Sequence, residues 1–72
     1  MTISVSDLEN WFEYHTPTPE QLPMYQAIRD AGKVLAKTIL DNTASSADQT
    51  AAIRKVREAC MTANQAIACG GR

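Results

Sequence analysis

Seventy-two residues hold at most one small domain, and a chain of that size often needs disulfides, a metal ion or further subunits for stability. Seven basic against eight acidic residues leave a net charge of −1, so no global field draws in a DNA or RNA polymer. No stretch approaches the ~20 apolar residues of a membrane span, and the N-terminus lacks the basic residues and apolar run of a secretory leader. A soluble cytoplasmic protein is the expectation.

Ser6-Asp7-Leu8-Glu9 has the S-x-x-E form of a capping box and predicts a short helix over about 6–14. The helix runs into WFEYHTPTP, which holds three of the four aromatics and the only histidine. Pro17 and Pro19 end it and stiffen the segment that follows. Trp11 and Phe12 are expected to close one end of the core. Residue chemistry alone favours packing for Tyr14 too, although pre-ordered aromatics beside a groove also suit a nucleobase-stacking platform.

Thr18-Pro19-Glu20-Gln21 repeats the start signal and opens a long helix over about 19–42. Pro23 opposes the Pro19 carbonyl and can delay regular helix to Leu22 or Pro23. Tyr25, Ile28, Gly32, Leu35 and Ile39 make an apolar stripe at helical spacing. A short turn follows, then a Ser46-x-x-Gln49 cap and a third helix over about 46–69, with the stripe Ile53, Val56, Cys60, Ala63, Ile67 and the stop Gly70-Gly71. The fold class is therefore all-α: a short helix and a long antiparallel hairpin.

Gly32 costs up to about 1 kcal/mol in a helix interior relative to alanine, which makes sense where two backbones come close. Ala31, Ala36, Ala52, Ala59, Ala63 and Ala66 would extend that approach. Ile3, Val5, Leu8, Met24, Val34, Leu40 and Met61 lie outside the stripes, and a hairpin has no third layer to cover them, so self-association is expected. Cys60 and Cys69 on one helix stand roughly 13 Å apart at 1.5 Å per residue, too far for a disulfide. With one histidine they make no zinc site.

Arg29 and Lys33 share a face one turn apart, as do Arg54 and Arg57, while Glu58 can pair with Arg54. Solvated surface charge is the default for both sets. Asn64 sits in a small apolar run, where a buried amide must find a partner in a neighbouring subunit or a ligand. No nucleophile with a matched base, metal cluster, glycine-rich phosphate loop or carboxylate pair supports catalysis or a cofactor, so no enzyme is expected.

The patterns F-x-Y-H-x-P at Phe12–Pro17, Y-x-x-I-R at Tyr25–Arg29 and A-N-x-A-I-A at Ala63–Ala68 occur in order, with a Ser-bearing turn before the last helix. Together they resemble the helical-hairpin domain of phage cyclic-oligonucleotide sponges, over residues 12–69. These are the anti-CBASS sponges, and the hairpin is shared with anti-Thoeris sponges. With one short helix before the hairpin, the chain is more similar to the anti-CBASS type. The resemblance implies a homohexamer in the cytoplasm of an infected bacterium. It would sequester cyclic dinucleotides at subunit interfaces without cleaving them.

Carried over residue by residue, the resemblance puts Tyr14 on a base and Arg29 on the ligand, with His15 and Lys33 as secondary contacts. Ala47 stands where relatives often carry a basic residue associated with a separate trinucleotide pocket. Arg54 and Arg57 are the candidates to take its place. Cyclic trinucleotides and cyclic ADP-ribose isomers stay open as ligands, and a small helical adaptor that inhibits a host protein by direct contact is the competing expectation.

Overall fold

The computed structural model describes residues 2–71. Among them lie three α-helices and no strand: α1 (Val5–Phe12), α2 (Leu22–Asn42) and α3 (Ala47–Ala68). The two long helices pack against each other as the hairpin. Extents of 45 × 31 × 17 Å describe a flattened molecule.

The cap of α1 differs from the one expected at Ser6. Ser4 is the N-cap: its Oγ accepts from the Asp7 backbone N–H at 3.2 Å, and its own N–H donates to Asp7 Oδ2 at 3.0 Å. Two overlapping S-x-x-acid patterns compete here, and the upstream one forms the reciprocal pair. Ser6 lies in the first turn, with its hydroxyl 3.1 Å from that of Ser4. The helix stops at Phe12, and Glu13 is already extended (φ −82°, ψ 146°), so Tyr14 lies in the irregular segment rather than on the helix.

Thr18 and Gln21 make the anticipated reciprocal bonds, Thr18 N–H to Gln21 Oε1 at 3.0 Å and Gln21 N–H to Thr18 Oγ1 at 3.3 Å. They close a turn, after which α2 begins at Leu22 with Pro23 in its first turn, where its missing N–H costs no hydrogen bond. At the other end, Gln49 Nε2 donates to Leu40 O at 3.3 Å and Thr43 O at 3.0 Å, tying α3 to carbonyls that close α2. Ser46 caps α3 through the Gln49 N–H at 3.1 Å. Gly70 and Gly71 take left-handed φ of 67° and 79°, which lets the Gly71 N–H return to Ala66 O at 2.9 Å.

The seam runs through Ile28, Gly32, Ala36 and Ile39 on α2 and Ile53, Val56, Cys60, Ala63 and Ile67 on α3, all partly buried. Leu35 departs from the expected stripe. It is 51% exposed on the rim of an open apolar groove, and Ala36 takes the inward place. A Cβ at Gly32 would collide with Cys60 Sγ, so the missing side chain is what lets the backbones approach.

The first helix crosses the open end of the hairpin. Asn10 Nδ2 donates to Cys69 O at 3.3 Å and Gln65 Nε2 donates to Trp11 O at 3.2 Å, while Gln21 Nε2 reaches Ile67 O at 3.2 Å. These bonds converge around Cys69, the one buried residue among those described, at 5% exposure. Trp11 is half-buried and shares a depression with Thr62, Gln65, Ala66 and Gly71 of the α3 end. Phe12, expected beside it in the core, is instead 86% exposed. Neighbours on a helix point about 100° apart, so one of the two faces α3 and the other cannot. Both cysteines are free, as their separation requires.

Candidate ligand-binding site

The two sides of the seam differ in chemistry. One carries an apolar groove of about 470 Å³ lined by Ile28, Ala31, Leu35, Val56, Ala59 and Ala63, with Lys55 as its charged member. The other carries a depression of about 320 Å³ where Arg29 and Lys33 of α2 meet Arg57 of α3 over Ala36, Val56 and Met61, with Asn64 in its wall. Gly32 and Cys60 border both, because they form the close crossing between the helices.

Local bonds orient one of these cations. Gln26 Nε2 donates to Asp30 Oδ1 at 2.8 Å, which turns Gln26 Oε1 to accept from Arg29 Nη1 at 2.9 Å. The guanidinium is thus steered by a neutral amide and keeps most of its donors free for a ligand. Among the described residues, Lys33 and Arg57 have no hydrogen bond or ion pair, and neither has Arg54. The expected Arg54–Glu58 pair does not form, although both line the shallow neighbouring depression with Arg57 and Met61. The Lys37–Asp41 ion pair, at 2.8 Å, sits nearer the turn.

Tyr14 and His15, the aromatic members of the expected set, lie elsewhere. Tyr14 is 82% exposed and packs into no core, against the packing that its residue type alone favoured. His15 is half-buried, with Nε2 2.6 Å from Asn10 O, so its ring ties the irregular segment to the end of α1. Neither lines the Arg29–Lys33–Arg57 depression of its own chain. Intramolecular folding therefore joins the cations of both helices but leaves the aromatic apart from them. The meeting of Arg29 with Arg57 was not readable from spacing, since it depends on which residue of α2 faces which of α3. Gly32 was the available clue to that register.

Residues 5–68, nearly the whole chain, match the family model of the Acb2/Tad1 hairpin domain. The chain belongs to this family. Its members are the anti-CBASS and anti-Thoeris sponges, which bind signalling molecules. No curated protein and no solved structure matches the chain significantly. Within the Acb2/Tad1 hairpin, the matched span runs from the first residue of α1 to the last of α3, so it takes in the cationic depression and Tyr14 together. No helix among the described residues is long and apolar enough to cross a membrane.

Proposed function

We propose that this hairpin protein sequesters a cyclic dinucleotide second messenger without cleaving it and so withholds it from the CBASS effector in the cytoplasm of an infected bacterium. The observation that carries this reading is the depression where Arg29, Lys33 and Arg57 converge from two helices in a chain of the sponge family. A cyclic dinucleotide has two phosphates and two flat bases. Three cations beside an apolar floor suit the phosphates without a broadly basic surface, which the net charge of −1 rules out. Tyr14, 82% exposed, offers its ring to a base, and such a stack contributes roughly 1–3 kcal/mol.

Because Tyr14 does not line the depression of its own chain, the complete site takes the tyrosine from a neighbouring copy in a homo-oligomer, with a hexamer as the arrangement carried by the resemblance. The exposed Leu8, Leu22, Leu35 and Leu40, together with the apolar groove, favour such an assembly over an isolated hairpin. Arg54 lies next to Arg57 on the outer rim, which keeps cyclic trinucleotides among the ligands to be ranked.

Isothermal titration with cyclic di- and trinucleotides and cyclic ADP-ribose isomers tests the proposal, followed by recovery of the ligand on denaturation. Tight binding with intact cyclic dinucleotide returned is expected. Preferential capture of a cyclic ADP-ribose isomer would move the protein to Thoeris signalling. Absence of binding throughout, together with a stable complex with a host protein, would establish the adaptor instead.

A further inference from the structure

One face of α1 has no cover within the chain. Asn10 and Trp11 turn toward the end of α3, where the Asn10 amide bonds to Cys69 O and Trp11 lies beside Thr62 and Ala66. Val5, Leu8 and Phe12 recur at spacings of three and four on the other side of the helix, and all three are exposed. Glu9 falls on the same side, one turn from Val5. Its carboxylate has no hydrogen bond or ion pair among the described residues. Positions i, i+3, i+4 and i+7 of one helix are the set that anchors an amphipathic helix in a groove.

The apolar groove on one side of the seam is the matching surface. Ile28 and Leu35 of α2 line it with Val56 and Ala63 of α3, and the short side chains of Ala31 and Ala59 leave room for a third backbone. Ile28–Leu35 and Val5–Phe12 each cover about two helical turns, roughly 10 Å at 1.5 Å per residue. Lys55 is the charged member of the groove, and among the described residues its ammonium is unpaired. An apolar helix edged by one carboxylate thus meets an apolar groove edged by one cation. Both halves belong to this chain, yet its own α1 cannot join them, because hydrogen bonds to α3 hold that helix across the hairpin end.

We infer that α1 of one copy docks by Val5, Leu8 and Phe12 in the seam groove of a second copy, pairing Glu9 of one with Lys55 of the other. The inference rests on the self-assembly in the reading above, not on its ligand, and names the element that fills the groove.

The experiment follows assembly of the full-length chain by sedimentation velocity over a concentration series, with circular dichroism as the control for folding. Phe12→Ala is expected to raise the dissociation constant about thirtyfold, as for a buried aromatic anchor, with helical content unchanged. Glu9→Lys and Lys55→Glu set like charges together, so each alone should weaken assembly about tenfold or more. An equimolar mixture of these two variants should recover the wild-type species, since every α1 then meets a groove of opposite charge on the other variant. A contact within one chain would not be repaired by mixing. Wild-type assembly in Phe12→Ala or in either charge variant would overturn the inference, as would a mixture that stays dissociated or a wild type that sediments as a monomer. Titration of the wild type with cyclic di-AMP and cyclic di-GMP judges the parent reading separately. Binding without any effect of Phe12→Ala on assembly would overturn this contact and keep the sponge; recovery on mixing without binding of either ligand would do the reverse.

Discussion

Tyr14 and Gly32 make opposite demands on a side chain, and both can be tested by single substitutions. Tyr14 is 82% exposed on an irregular segment, so its ring contributes little to folding. Tyr14→Ala is expected to leave the helical circular dichroism and the sedimentation profile unchanged. It should weaken cyclic-dinucleotide binding by the ~1–3 kcal/mol of one stack, roughly 5- to 150-fold. A variant that lost assembly and binding together would make Tyr14 a packing residue. Gly32 is constrained by what cannot fit. Alanine improves helix propensity by up to about 1 kcal/mol, but its Cβ would strike Cys60 Sγ at the helix crossing. Overpacking of this kind costs ~1–3 kcal/mol. Gly32→Ala should therefore lower the melting temperature, and Gly32→Ala combined with Cys60→Ala should recover it. Thermal denaturation of the pair decides this, and a double variant no more stable than Gly32→Ala would locate the strain elsewhere.

The helices show how much a local signal can carry. Alternation of apolar and polar residues at a spacing of three and four marks α2 and α3, because backbone bonds and caps are made within a few residues of each other. The start of α1 was harder. Ser4-Val5-Ser6-Asp7 and Ser6-Asp7-Leu8-Glu9 both present a serine with an acid three residues on, and the spacing does not choose between them. The structure chooses Ser4. Ser4→Ala is thus expected to cost α1 ~0.5–2 kcal/mol and to speed amide exchange over Val5–Phe12. Ser6→Ala should change exchange there far less. Equal effects from the two would mean that the caps interchange in solution. A parallel ambiguity affected Trp11 and Phe12: both are large and apolar, yet the helix turns one toward α3 and the other to solvent.

At the scale of the molecule, a hairpin with only one short helix beside it among the described residues leaves much of its apolar material exposed. Leu35 is the position where the hairpin's own packing and its proposed assembly part company, since it lies outside the seam on the rim of the apolar groove. Leu35→Glu should spare the α2–α3 seam and put charge into a subunit contact, so the expected result is a smaller species in sedimentation velocity with helical content retained. Ligand binding should weaken along with assembly, because Tyr14 would no longer be delivered to the cations of another copy. An unchanged sedimentation profile would place the subunit contacts on another face.

What could be read from the amino acids alone was the part of the protein governed by short-range rules: three helices in order, the proline-stiffened segment before the hairpin, the glycine stop and the close crossing at Gly32. Family motifs at Phe12–Pro17, Tyr25–Arg29 and Ala63–Ala68 could be read as well, since they too are runs of neighbouring residues. Tertiary packing decided the rest. It put Ala36 rather than Leu35 into the seam, brought Arg57 to Arg29 and Lys33, left Asn64 Oδ1 without a donor and held Tyr14 away from the cations. Each of these outcomes depends on the register between α2 and α3 or on where α1 docks. Such register is set by the interlocking of side chains far apart in the chain, for which helical spacing within one segment holds no information.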